Sequence, residues 1–291
     1  MKKNLVKGLL YSASGSLWWG ILGVIYFEYL SFVGAIELVI HRTVWTTVIL
    51  FFTTLYFSKW NLLLDTINKK NNLFFLFLSG LLIFTNWSVW IYAVVTNRII
   101  DASFGYYIFP IISILFGNLF FAEKLNIMRI VSICLVLLSI IFLLFNFQQI
   151  PWIGLAVALS WSTYNLIRKK INVDTDIGLF IESLFITPIA LIIFYFLFKN
   201  NINYFFSSGL SLSLILLFAG PMTVIPLFLY VRGVTLSGLG PSGMVFFITP
   251  TCQFLLGFFY YNEPFSTDKL ISFIFIWIAV IIYLKDLMNK K

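Results

Sequence analysis

Charged side chains are scarce in this sequence of 291 residues: Asp, Glu, Lys and Arg make up 10% of it, whereas 61% is hydrophobic and 20% aromatic. A soluble globular domain carries about 25% charged residues. A single core in a chain of this length leaves much of such an apolar surface uncovered. The composition therefore excludes a water-soluble fold and predicts a chain that is embedded in lipid.

Cysteine and histidine are almost absent. Cys134 and Cys252 lie in apolar runs without metal-ligand spacing, and His41 is the single histidine. The sequence also lacks a phosphate-binding glycine loop and a nucleotide-hydrolysing motif. We therefore expect no cofactor, no metal ion and no ATP-driven pump. The net charge of +8 does not indicate nucleic acid, because the basic residues fall between apolar runs rather than on one polar face.

Long apolar runs fill the sequence. A helix needs about 20 mainly apolar residues to cross a bilayer. Ten such runs are separated by short polar breaks, at residues 5–27, 33–57, 73–96, 100–121, 128–147, 150–169, 178–198, 211–231, 238–260 and 267–285. A transmembrane barrel would instead show alternating segments of about ten residues. We therefore predict an all-α integral membrane protein with ten transmembrane helices.

The basic residues predict an orientation. With the N-terminus inside, all of the 19 Lys and Arg residues fall on the inner side except Arg42, Arg98, Lys199 and Lys269. Cytoplasmic loops collect Lys and Arg. We therefore expect both termini in the cytoplasm and anionic lipid headgroups as the partners of the positive charge.

The two halves of the sequence repeat each other. A shift of 140 residues aligns, without gaps, Gly80 with Gly220, Val94 with Val234, Pro110 with Pro250, Gly117 with Gly257 and Glu123 with Glu263. A shift of 145 residues aligns Glu37 with Glu182. Because five helices per half is an odd number, the second half must be inverted. We predict two inverted five-helix repeats, residues 1–147 and 150–291, with a substrate site near the bilayer midplane, as in secondary transporters.

Three ionisable residues interrupt the second apolar run. On a helix Glu37 and His41 share a face, while Arg42 points about 100° away from His41. Arg42 would lie about 14 Å deep, where an arginine costs about 3 kcal/mol, so we expect it to face the bundle interior or a wet cavity. With Glu182, these residues are candidates for substrate binding or proton coupling. The alternatives are a structural ion-paired cluster and, for Glu182, a partly solvated carboxylate.

Two prolines fall near the centres of the fourth and ninth runs. Pro110 and Pro250 each remove a backbone donor and crowd the carbonyl group four residues earlier. Because the pair is repeated at one shift, we predict that both break their helices and shape a cavity or a gate. The alternative is an inert kink, which is common in membrane helices.

Aromatic and amide side chains also lie deep in several runs. The candidates for contact with a solute are Trp19, Asn86, Trp87, Tyr106, Tyr107 and Tyr164. For any single ring, packing against lipid or another helix is the commoner role in a chain this aromatic. As a group, these side chains suit a pocket for a partly apolar solute whose orientation is fixed by polar groups.

Short motifs along the whole chain carry a resemblance to one family. They are HR at 41–42, NW at 86–87, ASFGYYIFP at 102–110, AEK at 122–124, YNLIRKK at 164–170, IES at 181–183, ITPT at 248–251, NEP at 262–264 and FIFIW at 273–277. Together they resemble the RarD, or chloramphenicol-sensitivity, branch of the EamA-type drug/metabolite transporters. The sequence departs from the family pattern at Ala122, where a glycine usually precedes the glutamate, and at Asn165, which replaces a small residue.

The resemblance implies ten helices in two inverted halves around a central cavity, with both termini cytoplasmic. It also implies a permease of the bacterial inner membrane. The expected function is secondary transport, by alternating access, of a small metabolite or drug-like amphiphile such as an amino acid or an aromatic compound. The expected partners are this solute, lipid and a coupling ion, for which protons are a candidate.

Two other classes remain open. The segment GPSG at 240–243 fits the G-x-S-G motif of rhomboid-like intramembrane serine proteases, with Ser242 as the nucleophile. Such an enzyme needs a histidine base within hydrogen-bond reach, and His41 lies about 200 residues earlier on another helix. A channel or a non-transporting structural membrane protein is the other class, but charged rings and carbonyl filters are not evident. We therefore predict a transporter and not an enzyme.

Overall fold

The computed structural model describes residues 2–96, 98–144, 152–171, 173–260 and 267–289. Within these ranges the regular structure is helical, without a β-strand. The α-helices are α1 (Lys2–Trp18), α2 (Val24–Tyr29), α3 (Ala35–Tyr56), α4 (Trp60–Asn68), α5 (Lys70–Val95), α6 (Ile99–Phe121), α7 (Ile127–Leu144), α8 (Trp152–Ile171), α9 (Thr175–Lys199), α10 (Leu210–Leu217), α11 (Ala219–Ser237), α12 (Leu239–Phe246), α13 (Ile248–Phe259) and α14 (Thr267–Asn289). The predicted all-α class is confirmed.

In the described part of the chain, seven helical segments are long and apolar enough to cross a bilayer. They are Lys3–Tyr29, Ala35–Tyr56, Lys70–Val95, Thr175–Lys199, Leu210–Ser237, Leu239–Leu256 and Leu270–Asn289. Two shorter apolar helices cover Gly105–Phe121 and Ile127–Phe142. The helices therefore have the character of a membrane protein, while the number of ten spans and their inverted arrangement stay predictions.

Three of the predicted runs are not uniform helices. A π-helical turn, Trp19–Gly23, joins α1 to α2 in the first run. Single residues, Phe218 and Phe247, separate α10 from α11 and α12 from α13 in the eighth and ninth runs. π turns concentrate at functional sites, because the extra residue changes the direction of the side chains around it. These irregular points lie inside predicted spans. For the ninth run a break was predicted at Pro250, and the structure has it three residues earlier, at Phe247.

One short helix was not predicted. The sequence predicts a polar break at residues 58–72, but helix α4 forms there and packs on α5. Leu63 on α4 is buried, whereas Leu62 and Leu64 are exposed. A nine-residue helix with one apolar side is typical of a segment that lies in the membrane interface.

The helices pack mainly across the two halves of the sequence. The pairs are α1 with α11, α3 with α9, α6 with α8 and α7 with α14, and each pair joins the first half to the second. Small residues allow this close approach in a membrane. A methyl group on Gly233 would collide with Ser12, and one on Gly105 would collide with the carbonyl oxygen of Gly154. The two halves therefore form one interlocked bundle.

Large apolar side chains cover the outside of the bundle. Leu119, Ile192, Phe218 and Ile281 are all more than half exposed. Soluble monomeric proteins rarely leave apolar patches of this extent uncovered. The surface is therefore that of a bundle surrounded by lipid, as the composition predicted.

Candidate functional site

A cavity beside the π-helical turn encloses about 510 Å³, including its opening. We refer to it as the main cavity. Its lining residues are Trp19, Gly23, Phe27, Arg42, Asn86, Trp87, Trp90, Tyr106, Trp161, Phe246, Thr249 and Gln253. Aromatic rings dominate this lining, and Arg42 is the one charged residue among the lining residues that the structure describes. Its mainly apolar walls with a few polar groups are typical of small-molecule sites.

Five of the predicted site residues meet in this cavity, from four different segments of the chain. They are Trp19, Arg42, Asn86, Trp87 and Tyr106. The segments are the π-helical turn, α3, α5 and α6, which come together because α3, α5 and α6 pack on helices of the second half. The remaining predicted residues lie elsewhere in the bundle.

Arg42 is 5% exposed, and aromatic faces surround its guanidinium group. Its carbon Cζ lies 5.1 Å from the centre of the Phe27 ring and 4.7 Å from that of Trp87. Its Nε donates a hydrogen bond to Thr223 Oγ1 at 3.0 Å. Among the residues whose side chains are described, no carboxylate lies within 4.0 Å of the guanidinium nitrogens. The cation is therefore held by rings and a hydroxyl group rather than by an ion pair.

Glu37 and His41 share one face of α3, as predicted, but they do not line the main cavity. The Glu37 carboxylate, 3% exposed, accepts hydrogen bonds from the backbone N–H groups of Tyr204 and Phe205 at 2.8 to 3.0 Å. His41 Nδ1 accepts from Trp45 Nε1 at 3.0 Å, and His41 Nε2 lies 3.5 Å from Glu37. Glu37 therefore anchors the connection between α9 and α10.

Glu182 lies at a second, smaller cavity of about 280 Å³. Its carboxylate is 2% exposed and accepts from Ser79 Oγ at 2.5 Å and from Tyr164 OH at 3.1 Å. Arg168 Nη1 lies 3.4 Å away, so the charge of Glu182 has a cationic partner. Tyr164 also stacks on Trp161, with 5.3 Å between the ring centres. Trp87 lines both cavities and separates the two groups of polar residues.

Tyr107 and the two prolines lie outside the lining of the main cavity. Tyr107 packs on Phe273 of α14, with 5.7 Å between the ring centres. Pro110 lies inside α6, which continues on both sides of it as one helix. Pro250 lies in the first turn of α13, where a proline costs no helical hydrogen bond, three residues after the break at Phe247.

Several lining residues were not singled out from the sequence. They belong to the second half of the sequence and could not be identified there by a neighbouring charged residue. These residues are Trp161, Phe246, Thr249 and Gln253. Trp161 Nε1 and Gln253 Oε1 are buried without a hydrogen-bond partner among the described residues. Buried polar groups are nearly always paired, so each orphan needs an explanation such as a ligand or water. A polar solute would supply the missing partners.

One end of the bundle is held by what we call the Glu123 cluster, which consists of Glu123, Lys169, Leu239 and Gly240. Glu123 follows α6, and its two carboxylate oxygens accept the backbone N–H groups of Leu239 and Gly240, each at 2.9 Å. Lys169 Nζ donates to the same carboxylate at 2.5 Å. Negative charge is favourable at a helix start, so this contact fastens α6 and α8 to the beginning of α12.

Further ion pairs lie at the same end of the bundle. Arg129 pairs with Asp286 at 3.0 Å. Lys59 pairs with Asp176 at 2.7 Å. Burial lowers the pKa of Lys59, but the hydrogen bonds and negative charges of Asp176 and Asp174 outweigh that effect and leave the pKa above its ordinary value. The main cavity lies nearer the opposite end, since Arg42 is five residues from Glu37 and 17 residues from Lys59.

Ser242, the candidate protease nucleophile, is fully buried at the junction of three helices. Its hydroxyl accepts from Ser12 Oγ at 2.9 Å and lies 2.9 Å from Ser237 Oγ. The described contacts of His41 are with Glu37 and aromatic rings instead. Ser242 therefore packs helices together through serine hydroxyl groups, without a base beside it in the described part of the chain.

Comparison with known proteins reveals similarity along the whole sequence. The profile of the EamA-like transporter family matches residues 6–145. The uncharacterized transporter YojE of Bacillus subtilis is 33% identical over 280 residues, which cover 95% of this chain and 93% of the relative. Protein RarD of Escherichia coli is 32% identical over 287 residues, which cover 98% of this chain and 96% of the relative.

A solved structure, titled only as the crystal structure of a protein, has a similar fold. Its TM-score is 0.67 with 14% sequence identity, and the match covers 95% of each chain. The fold is therefore one that an experimental structure also contains.

Proposed function

This chain belongs to the RarD family of EamA-type transporters, and we propose that it is a secondary transporter that carries a small organic solute by alternating access through the main cavity. The relative YojE is named an uncharacterized transporter, and the chain is a multi-pass bacterial membrane protein. The observation that carries the proposal is Arg42, a buried cation in an aromatic cavity near one end of a bundle whose other end is fastened by ion pairs.

The predicted inverted repeats support this mechanism. The helix pairs α3 with α9 and α7 with α14 each join elements that correspond under the repeat. The contact of α6 with α8 corresponds under the repeat to two other contacts. These are the contact of α12 with α1 and the contact of α13 with the π-helical turn. A bundle built of two oppositely oriented halves can exchange its open and closed ends around one site. The halves are residues 1–147 and 150–291, with both termini in the cytoplasm.

The orientation implies which end is closed. The Glu123 cluster and the pairs of Lys59 and Arg129 then lie on the cytoplasmic side, and the main cavity faces the other side. Transport to the cytoplasm would require these contacts to open while the end near Glu37 closes. We assign Trp19, Arg42, Asn86, Trp87 and Tyr106 to solute binding.

The other predicted residues take different roles in this proposal. Glu37 and His41 hold the α9–α10 connection, and Tyr164 and Glu182 hold α5, α8 and α9 together around the second cavity. Glu182 is also the buried carboxylate through which protons would couple to transport, because it touches both Arg168 and a cavity. Tyr107 packs α6 on α14, while Pro110 and Pro250 mark positions where α6 and α13 can bend.

Flux through reconstituted protein tests the proposal directly. Proteoliposomes are loaded with a mixture of several hundred small organic solutes, and the solutes released are identified by mass spectrometry. Protein-free liposomes and liposomes with heat-denatured protein serve as controls. Faster release of at least one solute from the native protein supports transport. Identical release in all three preparations would contradict it.

A further inference from the structure

The main cavity contains a cation, Arg42, without a matching anion among the residues that the structure describes. Arg42 is 5% exposed. Among the described residues, no carboxylate lies within 4.0 Å of its guanidinium nitrogens. A buried charge is strongly unfavourable unless an opposite charge compensates it. Thr223 provides a neutral hydroxyl acceptor at Nε, and the rings of Phe27 and Trp87 provide weaker cation–π contacts. The strongest available compensation is an anionic group on the solute.

The two acidic candidates from the sequence, Glu37 and Glu182, have other partners. The oxygens of Glu37 accept backbone N–H groups of Tyr204 and Phe205. Glu182 pairs with Arg168 beyond Trp87, at the second cavity. A solute with an ammonium group would therefore find no carboxylate in the described lining of the main cavity. Desolvating that ammonium group would count against binding.

The rest of the lining favours a flat apolar body. Trp19, Trp90 and Phe246 contribute broad ring faces, and Phe246 lies edge-on to Trp19 and Tyr106, with ring centres 6.3 and 5.5 Å apart. Aromatic rings prefer such offset and edge-to-face neighbours. The unpaired Nε1 of Trp161 offers one further hydrogen-bond donor to a polar group on the solute.

We propose that the main cavity binds organic monoanions, with a carboxylate held by Arg42 and an aromatic or similarly flat body between the rings, in preference to the corresponding amino acids and amines. This inference rests on the proposed transport function and adds the class of solute. It distinguishes a carboxylate from a zwitterion, which the sequence alone left open.

Three probes that share one skeleton test this preference. 3-Phenylpropanoate carries only the carboxylate, phenylalanine adds an ammonium group, and 2-phenylethylamine carries only the ammonium group. Dissociation constants are measured on the purified protein in detergent at pH 7, from the rise in unfolding temperature with probe concentration. We expect 3-phenylpropanoate to bind at least about tenfold more tightly than phenylalanine, and the amine to bind most weakly.

Matched variants connect the preference to Arg42. Arg42→Gln should weaken binding of 3-phenylpropanoate by about thirtyfold or more, because a buried charged partner is removed. Arg42→Lys keeps the charge but not the two-pronged donor and should give an intermediate loss. Arg232→Gln is the control, since Arg232 is an exposed arginine on α11, away from the cavity, and it should change binding less than about twofold. Size-exclusion profiles confirm that each variant is folded.

The inference is overturned if wild-type protein does not bind 3-phenylpropanoate, or if phenylalanine or the amine binds as tightly. It is also overturned if folded Arg42→Gln and Arg42→Lys both retain wild-type affinity. These results are separate from the flux measurement with the solute mixture. Flux of cations or neutral solutes alone would leave the transport function standing and reject the anion preference, whereas flux of no solute would reject transport itself.

Discussion

The guanidinium group of Arg42 lies over the face of Trp87, with 4.7 Å between Cζ and the ring centre. Because Trp87 lines both cavities, this one ring fixes the position of the cation and separates it from Glu182. A cation that is held by rings keeps its hydrogen-bonding capacity for a ligand, which an ion-paired arginine does not.

Replacing Trp87 tests this arrangement. Trp87→Leu removes the ring face, and we expect about tenfold weaker binding of 3-phenylpropanoate, since a desolvated cation–π contact contributes about 1 to 2 kcal/mol to the position of Arg42. Trp87→Phe keeps a smaller ring and should lose less than half of that free energy. Binding by thermal shift is the measurement. Equal affinities for the leucine and phenylalanine variants would contradict a role for the ring face.

Glu37 anchors a connection, so its removal should affect stability more than binding. Glu37→Gln replaces one carboxylate oxygen, which accepts hydrogen bonds, by an NH2 group that faces backbone N–H donors. We therefore expect the free energy of unfolding to fall by about 2 kcal/mol. Limited proteolysis should cut faster between α9 and α10. The dissociation constant of 3-phenylpropanoate should change less than about threefold, in contrast to Arg42→Gln. A binding loss as large as that of Arg42→Gln would return Glu37 to the solute site.

The Glu123 cluster should control the opening of its end of the bundle. Glu123→Gln keeps the shape of the side chain but removes the charge from three hydrogen bonds. We expect hydrogen exchange at Leu239 and Gly240 to become about tenfold faster or more, which corresponds to at least about 1.4 kcal/mol. Asp65→Asn is the control, because Asp65 is an exposed acid on α4. Unchanged exchange at α12 in Glu123→Gln would show that the cluster does not hold this end.

Ala122 precedes Glu123 in the left-handed region, with φ 51° and ψ 33°. An L-residue with a Cβ atom costs about 1 to 2 kcal/mol there, and a glycine does not. We expect Ala122→Gly to raise the free energy of unfolding by about 1 kcal/mol, measured by thermal or denaturant unfolding in detergent. Ala122→Val should lower it. A glycine variant that is less stable than wild type would contradict this explanation.

Much of the fold follows from the sequence because lipid imposes few choices on a chain. A run of about 20 apolar residues must form a helix to satisfy its backbone, so α3, α5 and α9 lie close to their predicted limits. Arg42 could be predicted to face a cavity for a similar reason, since exposure to acyl chains would be too costly. The left-handed conformation of Ala122 also agrees with the glycine expected there.

The rest of the site depends on contacts between distant segments. The sequence indicates a functional role for the acid Glu37. The backbone N–H groups that donate hydrogen bonds to its carboxylate belong to residues 167 and 168 positions later in the chain. Trp161 and Phe246 could not be separated from other rings, because an aromatic residue that faces lipid and one that faces a cavity have the same local pattern. The amphipathic α4 was missed for a different reason, since its polar residues resemble a loop in a chain where apolar runs identify helices.

The two ends of the bundle are held together by different kinds of bond, and dissolved salt reaches them unequally. Lys59 and Lys169 are partly open to water, with side chains 30% and 16% exposed, so counterions can compete for their carboxylates. Glu37 holds backbone groups from a position that is closed to solvent. We therefore expect a higher electrolyte concentration to weaken the contacts of Lys59 and Lys169 more than those of Glu37. In the proposed transport cycle, this difference would favour opening at the end that the two lysines hold.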